Sequence, residues 1–295
     1  MITPEFIGLI FLLPIIGVIS YISINNELSI NPILTWSVFL LAIAFIYVAA
    51  VFNEIIQHII IIDNEILDDY ITTFLCALNE EIYKLIILLA FLHVFRDKIN
   101  LKRALFLGII SGLGFAIEEN YYYSTVVVPN MFLAQYPDYA QYAYEWSLQN
   151  SIIRLVLCAP LHLMTTSITA LFAYRTFVQN RGFSNIIVGT SIATAIHLHY
   201  NFAQSFSFSE ITGPAMVVLG FFILQVLYKN FQNDEPVARK STSFYKTVDR
   251  KSTVSEDILG SFKVIKKTAS VSRTYRHEDK SREDESDEFR IIKKK

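Results

Sequence analysis

The sequence predicts an all-α membrane protein, a polytopic bundle of about seven transmembrane helices followed by a charged cytosolic tail. The chain is 53% hydrophobic and 14% aromatic, with a mean hydropathy of +0.40, which is too apolar for an ordinary soluble domain. Its basic residues are unevenly placed, since 17 of the 25 Lys and Arg residues follow Tyr228. The net charge of −2 therefore hides a long apolar part and a charged C-terminal part.

Seven stretches are apolar enough to cross a bilayer as helices, each near the ~20 residues that a span requires. They run approximately over residues 4–24, 33–52, 71–95, 104–128, 151–178, 183–207 and 214–228. The first has no basic flank and no small-residue cleavage site, so we interpret it as an anchor and not as a cleaved signal peptide. Ser, Thr and charged residues without an apolar period predominate from Asn230 on. We therefore predict a membrane domain, 1–228, and a largely disordered tail, 229–295.

The charges of the loops predict the orientation of these spans. All basic loop residues fall on one side of a seven-span topology: Arg96, Lys98, Lys102, Arg103, Arg175, Arg181 and Lys229. The loops on the other side, 53–70, 129–150 and 208–213, contain no Lys or Arg. Because basic loops remain in the cytoplasm, we expect the N-terminus outside and the tail inside. The sequence has no nucleic-acid motif, Gly-rich phosphate loop or CxxC pair, and nucleic acid is not an expected partner.

Ionisable side chains inside the predicted spans cluster at one depth. Each charge near the centre of a bilayer costs ~2.5–3.5 kcal/mol, so such residues usually mark a functional site. The polar residues of spans three to six are Glu80, Glu81 and Lys84, then Glu118, Glu119 and Asn120, then His162, and finally His197, His199 and Asn201. The rise of an α-helix places one ionisable group of each span roughly 14–17 Å below its outer end. We interpret this shared layer as a site.

The spacing of these residues also favours a common cavity. Three pairs are four residues apart and share a helix face: Glu80 and Lys84, Phe115 and Glu119, and His197 and Asn201. Small residues in "GIISGLGFA" predict that the fourth span approaches its neighbours closely. Several carboxylates in a cavity of low dielectric constant cannot all remain ionised cheaply. This situation suits one glutamate to act as a general acid or base.

Four motifs in these spans resemble those of the PrsW-type intramembrane proteases. They are "EEIYK" (80–84), "GLGFAIEEN" (112–120), His162 in "APLHLMTT", and "HLHYN" (197–201). The arrangement is more distantly similar to the CAAX prenyl endopeptidases, whose second motif ends in His where this chain has Glu119. The resemblance covers residues 70–205 and neither the first two spans nor the tail. It implies peptide-bond hydrolysis in a prokaryotic cell membrane, on a membrane-anchored protein such as an anti-sigma-factor-like regulator.

The resemblance also implies roles for single residues. Glu80 would activate a water, and Glu119 would share or relay the proton. His197 and Asn201 would donate hydrogen bonds to the tetrahedral oxyanion. His162 would be a second proton carrier or an orienting group.

The same resemblance implies a supporting set and leaves a metal open. Glu81, which we count with the catalytic residues, would form an ion pair with Lys84, while Phe115 and Asn120 would support the site. The family has also been classed as metalloproteases. A divalent ion such as zinc would then be held by Glu80, Glu119, His162 and His197. The sequence has no H-E-x-x-H motif and so does not establish zinc.

Some polar residues have a simpler interpretation, and other functions remain open. His199 lies about 200° around the helix from His197 and is expected to point away. Glu118 is expected to face a neighbouring helix or a water pocket, and Arg154 to extend to the outer surface. A proton-coupled transporter would also place Glu and His in the membrane, although it would usually show paired repeats. A non-catalytic scaffold or immunity protein would explain the helices but not every motif residue.

Overall fold

The computed structural model describes residues 31–204 and 209–234, and all regular structure in these ranges is helical. The α-helices are α1 (Pro32–Ile59), α2 (Glu65–Val94), α3 (Leu101–Tyr122), α4 (Val128–Gln135), α5 (Ala143–Phe177), α6 (Ser184–Gln204) and α7 (Ser209–Asn233). Two 3-10 segments, Arg96–Lys98 and Pro137–Tyr142, and a π-helical turn, Tyr123–Val127, connect them. The all-α prediction is confirmed for the described residues. The predicted first span, 4–24, and the predicted tail beyond Asp234 lie outside them.

Three helical segments of the described ranges are long and apolar enough to cross a membrane, judged by length and composition: Pro32–Ile59, Pro137–Phe177 and Ile211–Asn233. Helix α2 is 30 residues long, but it carries Glu80, Glu81 and Lys84 near its middle. The charges that indicate a functional site also lower the mean hydropathy of the helix that carries them. The number of seven spans remains a prediction.

Several helices extend beyond the apolar stretches that predicted them. Helix α1 continues to Ile59, α5 begins at Ala143 rather than 151, and α7 continues to Asn233, into the predicted tail. The predicted fourth span, 104–128, ends as an α-helix at Tyr122 and continues as a π-helical turn. Apolar composition marks the part of a helix that lies in lipid, whereas hydrogen bonding and capping decide where the helix itself begins and ends.

Asparagine caps define three of these helix starts. The side chains of Asn31, Asn64 and Asn100 accept hydrogen bonds from the backbone N–H groups of Ile33, Leu67 and Arg103 at 2.9, 3.0 and 2.9 Å. A side-chain acceptor at this position satisfies one of the N–H groups that the first helical turn leaves unpaired. The caps thereby set the starts of α1, α2 and α3.

Helix α3 lies at the centre of the bundle and packs against α1, α2 and α5. A Cβ atom on Gly112 would lie 2.5 Å from the carbonyl oxygen of His162, and one on Gly114 would lie 2.7 Å from the Cβ of Ala42. Only glycine allows such close approach of two helices. The predicted close packing of "GIISGLGFA" is confirmed, and it brings the second motif against the helix that carries His162.

Candidate active site

Seven polar side chains from four helices form one continuous series of contacts in the centre of the bundle. In order of contact they are Glu80, His197, Glu81, Lys84, His162, Glu119 and Arg154. Helix α2 contributes three of them, α5 contributes two, and α3 and α6 contribute one each. Lys84 and Glu81 are completely buried. Because a buried charge is stable only when it is paired, this series is what allows three charges near the middle of α2.

Glu81 is the central acceptor of the series. Its Oε1 atom lies 2.7 Å from Lys84 Nζ and accepts a hydrogen bond of 3.1 Å from Thr165 Oγ1. The Nδ1 atom of His197 lies 2.9 Å from the same oxygen. An ionised carboxylate can only accept hydrogen bonds, so Nδ1 of His197 carries a proton. The other ring nitrogen, Nε2, is then the one that can bind or release a proton.

We call Lys84, His162, Glu119 and Arg154 the closed half of the site, because each charge in it has a partner. Lys84 Nζ lies 2.8 Å from His162 Nδ1. An ammonium group only donates, so Nδ1 accepts and Nε2 of His162 carries the proton. That Nε2 lies 2.7 Å from Glu119 Oε2, and Arg154 lies 2.7 Å from Glu119 Oε1. Both carboxylate oxygens of Glu119 are therefore engaged.

Arg154 does not extend to the outer surface, and that prediction is wrong. Its Nε atom donates to Asn120 Oδ1 at 3.0 Å, and its guanidinium group lies 3.9 Å from the centre of the Tyr123 ring. Its side chain is only 18% exposed. The ion pair with Glu119 explains the difference, because a partly buried carboxylate attracts the guanidinium group more strongly than distant water does.

We call Glu80 and His197 the open half of the site, because the facing atoms of these two side chains are not hydrogen-bonded to each other. Glu80 Oε2 lies 3.7 Å from His197 Nε2, which is too far for a direct hydrogen bond. This oxygen is buried and accepts no hydrogen bond from any residue that the structure describes. The other oxygen, Oε1, accepts a hydrogen bond of 3.0 Å from Asn53 Nδ2. The two halves touch through the rings of His162 and His197, whose centres are 5.0 Å apart.

The formal charges of the site do not cancel when both histidines are neutral. The three carboxylates of Glu80, Glu81 and Glu119 face the two cations Lys84 and Arg154. One additional positive charge balances the cluster, and a buried site strongly favours such balance. The open half can hold that charge as one proton on Glu80 or on His197, because Glu80 Oε2 has no hydrogen-bond partner among the described residues and faces His197 Nε2 at 3.7 Å.

The remaining predicted residues divide into those that contact the series and those that do not. Phe115 is fully buried, and its ring centre lies 5.1 Å from Lys84 Nζ. Asn201 is half-buried and lies on α6, four residues after His197. His199 is exposed, and its Nδ1 atom lies 2.7 Å from the backbone carbonyl oxygen of Ala195. Glu118 accepts a hydrogen bond from Tyr47 on α1, so it faces a neighbouring helix as expected.

The donor atoms fit a bound metal ion only in part. Glu80, His162 and His197 each offer one ligand atom, all within 4.8 Å of one another. Tetrahedral zinc with bonds of 2.0–2.1 Å separates two ligand atoms by about 3.3 Å, and the 3.7 Å between Glu80 and His197 is near that value. His162 does not fit, because Lys84 occupies its Nδ1 and Glu119 lies 2.7 Å from its Nε2. The residues as placed do not form a three-ligand metal centre.

A second possible set of ligands is less suitable. Glu119, Cys158 and His162 also lie within 4.8 Å of one another. Arg154 is 2.7 Å from Glu119 and 3.5 Å from the sulfur of Cys158. A permanent cation at this position repels a metal ion, so we assign no metal to the closed half.

Three residues that contact the site were not predicted from the sequence. Arg154 was assigned to the surface, Thr165 resembles the many hydroxyl residues of membrane helices, and Asn53 lies in a stretch that was predicted as a loop. Asparagine and arginine within an apolar helix are the signal that could have identified two of them.

Comparison with known proteins agrees with the motifs. Residues 31–228 match the family model described as PrsW family intramembrane metalloprotease. The match covers more than half of the chain and contains every residue of the polar series. Neither a curated protein nor a solved structure matches the chain significantly.

Proposed function

We propose a mechanism for this chain, which belongs to the PrsW family of intramembrane proteases: Glu80 activates a water that hydrolyses a peptide bond of a membrane-anchored protein. Membership of the family makes the chain an integral membrane peptidase whose substrate is a membrane-embedded protein. The catalytic water, the residues and the kind of substrate are our proposal.

The open half of the site carries this proposal. Glu80 Oε2 and His197 Nε2 face each other at 3.7 Å, and a water between them would be within hydrogen-bonding reach of both. The nearest basic atom to Glu80 Oε2 is His197 Nε2 at 3.7 Å, whereas each oxygen of Glu119 lies 2.7 Å from a basic side chain, Arg154 or His162. Glu80 therefore suits the role of general base better than Glu119 does.

The reaction then follows from the positions of the protons. Glu80 accepts a proton from the water, and the water oxygen forms a bond with the carbonyl carbon of the substrate. His197, when protonated at Nε2, donates a hydrogen bond to the resulting oxyanion, and the side-chain amide of Asn201 is the second donor. The protonated Glu80 returns its proton to the leaving nitrogen as the C–N bond breaks. These steps require no metal ion.

The closed half supports this chemistry without taking part in the proton transfer. Lys84 stabilises the negative charge of Glu81, and Glu81 holds the Nδ1–H of His197. His162 accepts the other hydrogen bond from Lys84, and Glu119 lies between His162 and Arg154 and contacts both. In this proposal Glu119 is a fixed anion and not a proton relay.

Identification of cleaved proteins tests the proposed activity. The wild type or Glu80→Gln would be produced in cells together with single-span membrane proteins of the same genome, beginning with anti-sigma-factor-like regulators. Labelling of new N-termini in isolated membranes should reveal cleavage near a membrane segment with the wild type only. Glu118→Gln is the matched control, since Glu118 bonds to Tyr47 outside the series and should leave cleavage intact. Equal cleavage by Glu80→Gln contradicts the proposed base.

We further propose the topology of seven spans, with the N-terminus outside and the charged tail, 229–295, in the cytoplasm. Contacts at the helix ends support this arrangement for the described part of the chain. Arg175 at the end of α5 lies 3.1 Å from Asp234 after α7, so these ends lie on the same side. At the opposite ends of α2 and α6, the rings of Tyr70 and Phe202 are 5.0 Å apart.

Chemical labelling of intact cells tests the orientation. Lys102 lies at the start of α3, after the predicted cytoplasmic loop, and Asp138 lies in the segment between α4 and α5. Both are exposed. An impermeant maleimide should label Asp138→Cys and leave Lys102→Cys unlabelled, because only the former faces the outside. The parent chain, with its own Cys76 and Cys158, is the background control. Labelling at position 102 alone would reverse the topology.

A further inference from the structure

Two asparagines connect helix α1 to the Oε1 atom of Glu80. Asn53 on α1 donates from Nδ2 to Glu80 Oε1 at 3.0 Å. Asn79, the residue before Glu80 on α2, donates from Nδ2 to Asn53 Oδ1 at 2.8 Å and to the carbonyl oxygen of Ala49 at 3.0 Å. Both asparagine side chains are half-buried. The contacts form a short relay from the α1 backbone to the carboxylate of Glu80.

The relay leaves one orientation for each amide group. Asn79 must present its NH₂ group to the Ala49 carbonyl, because a carbonyl oxygen only accepts. The same NH₂ group also donates to Asn53, so the acceptor must be the Oδ1 atom of Asn53. Asn53 is thereby left with its own NH₂ group towards Glu80. A reversal of Asn53 would place donor against donor at Asn79 and acceptor against acceptor at Glu80, so the direction is fixed.

This contact differs chemically from the one that holds Glu119. Arg154 compensates the charge of Glu119, whereas the amide of Asn53 is neutral and leaves the charge of Glu80 available for a proton. Asn53 occupies only Oε1, so rotation of the carboxylate is restricted while Oε2 remains directed towards His197 Nε2 at 3.7 Å. A base held in this way meets the geometric requirement for attack by its water.

We propose that Asn53, oriented by Asn79, is a positioning residue that directs the Oε2 atom of Glu80 towards the catalytic water. The inference rests on the proposed role of Glu80 as the base. It adds helix α1 to the functional part of the molecule, although none of the four motifs lies on that helix. Asn53 contacts Oε1 of Glu80 and not the Oε2 atom that faces His197. Its substitution should therefore lower kcat and leave KM unchanged.

The test compares Asn53→Leu, Asn53→Gln and Asn79→Leu with the wild type. Leucine has the same number and branching of non-hydrogen side-chain atoms as asparagine and suits a membrane helix, so these proteins should fold. The probe is a panel of single-span peptides of the anti-sigma-factor type, labelled with a fluorophore and a quencher, in detergent micelles. Asn53→Leu should lower kcat ~10- to 100-fold with KM unchanged. Asn79→Leu should cause a smaller loss, the double variant should be no worse than Asn53→Leu, and Asn53→Gln should recover part of kcat.

Tyr47→Phe is the matched control, because it also removes a hydrogen bond that α1 makes to another helix, here to Glu118. It should retain the wild-type kcat. If Tyr47→Phe and Asn53→Leu lose activity and thermal stability equally, the relay is only a packing contact and the inference fails. It fails also if Asn53→Leu retains the wild-type kcat while Glu80→Gln is inactive, an outcome that leaves the base intact. Activity of Glu80→Gln, or no cleavage of any peptide by the wild type, contradicts the proposed function itself.

Discussion

The closed and open halves of the site contain similar residues but differ in how their hydrogen bonds are used. Each half pairs a glutamate with a histidine. In the closed half, His162 and Glu119 are 2.7 Å apart, and Lys84 and Arg154 complete their contacts. In the open half, Glu80 Oε2 lies 3.7 Å from His197 Nε2, and this oxygen has no hydrogen-bond partner among the described residues.

The difference separates support from chemistry. The carboxylate of Glu119 lies 2.7 Å from both an arginine and a histidine, and two basic groups so close disfavour the gain of a proton. A buried carboxylate with one amide donor and one free oxygen is under-satisfied, and such groups are common where a reaction takes place. The closed half stabilises the arrangement from which the open half can act.

After loss of the base itself, the largest effect is expected from the two proposed oxyanion donors, His197 and Asn201. His197→Ala and Asn201→Ala should each lower kcat ~10²- to 10³-fold with little change in KM, since such donors act mainly in the transition state. The double variant should lose less than the product of the two single losses, because the residues act as a unit. Steady-state kinetics on a quenched single-span peptide measures both quantities, and His199→Ala is the control on the exposed face of the same helix.

Two other results would assign these residues differently. Loss of bound metal in His197→Ala by elemental analysis, with partial rescue by excess zinc, would indicate a metal ligand. Cleavage at the wild-type rate by both alanine variants would show that neither residue binds the oxyanion.

A change in the closed half should affect stability more than turnover. Arg154→Leu leaves Glu119 partly buried without its cation, which should destabilise the fold by about 3 kcal/mol. Thermal unfolding in detergent should show this loss, while kcat per folded molecule falls by less than tenfold. Arg154→Lys retains the charge and should recover part of the stability. A loss of kcat as large as that of His197→Ala, without loss of stability, would place Arg154 in the reaction.

A smaller effect is expected where α3 and α5, the helices that carry Glu119 and His162, pack against each other. Gly112→Ala places a methyl group 2.5 Å from the carbonyl oxygen of His162, so α3 and α5 must separate slightly. Overpacking of this kind costs ~1–2 kcal/mol and should lower the unfolding temperature. The control is Gly182→Ala, where the nearest atom to the new methyl group is Ser184 Oγ at 3.7 Å. Equal stability of the two variants would show that the helices can separate freely.

Much of the fold could be predicted because the membrane restricts the choice of structure. Without water to pair with backbone groups, an apolar stretch must be helical, and the stretches of α1, α5 and α7 were recognisable from composition. The ends of the helices could not be predicted in the same way. Caps such as Asn64 and polar extensions such as the last turns of α1 are local hydrogen-bonding effects that hydropathy does not record.

The sequence predicted that the motif side chains would lie close together, but it did not predict their pairings. Spacing and depth predicted that Glu80, Glu119, His162 and His197 would share a cavity. The choice of partners depends on rotamers and helix rotation, since a shift of one residue turns a side chain by about 100°. For this reason Arg154 appeared to be a surface residue, and Asn53 was hidden in a predicted loop. Polar side chains that bond across helices become visible only in three dimensions.

Comparison of Glu80→Gln with Glu119→Gln tests the division into two halves most directly. Each change keeps the shape of the side chain and removes its ability to accept a proton. With the same single-span peptide and the same thermal unfolding assay, Glu80→Gln should lose kcat ~10²- to 10⁴-fold and remain folded. Glu119→Gln should unfold at a lower temperature and lose kcat by less than tenfold, because its NH₂ group would have to face either Arg154 or His162 Nε2, while its neutral oxygen faced the other. The reverse result, an active Glu80→Gln and an inactive but stable Glu119→Gln, would place the base in the closed half and contradict the proposed mechanism.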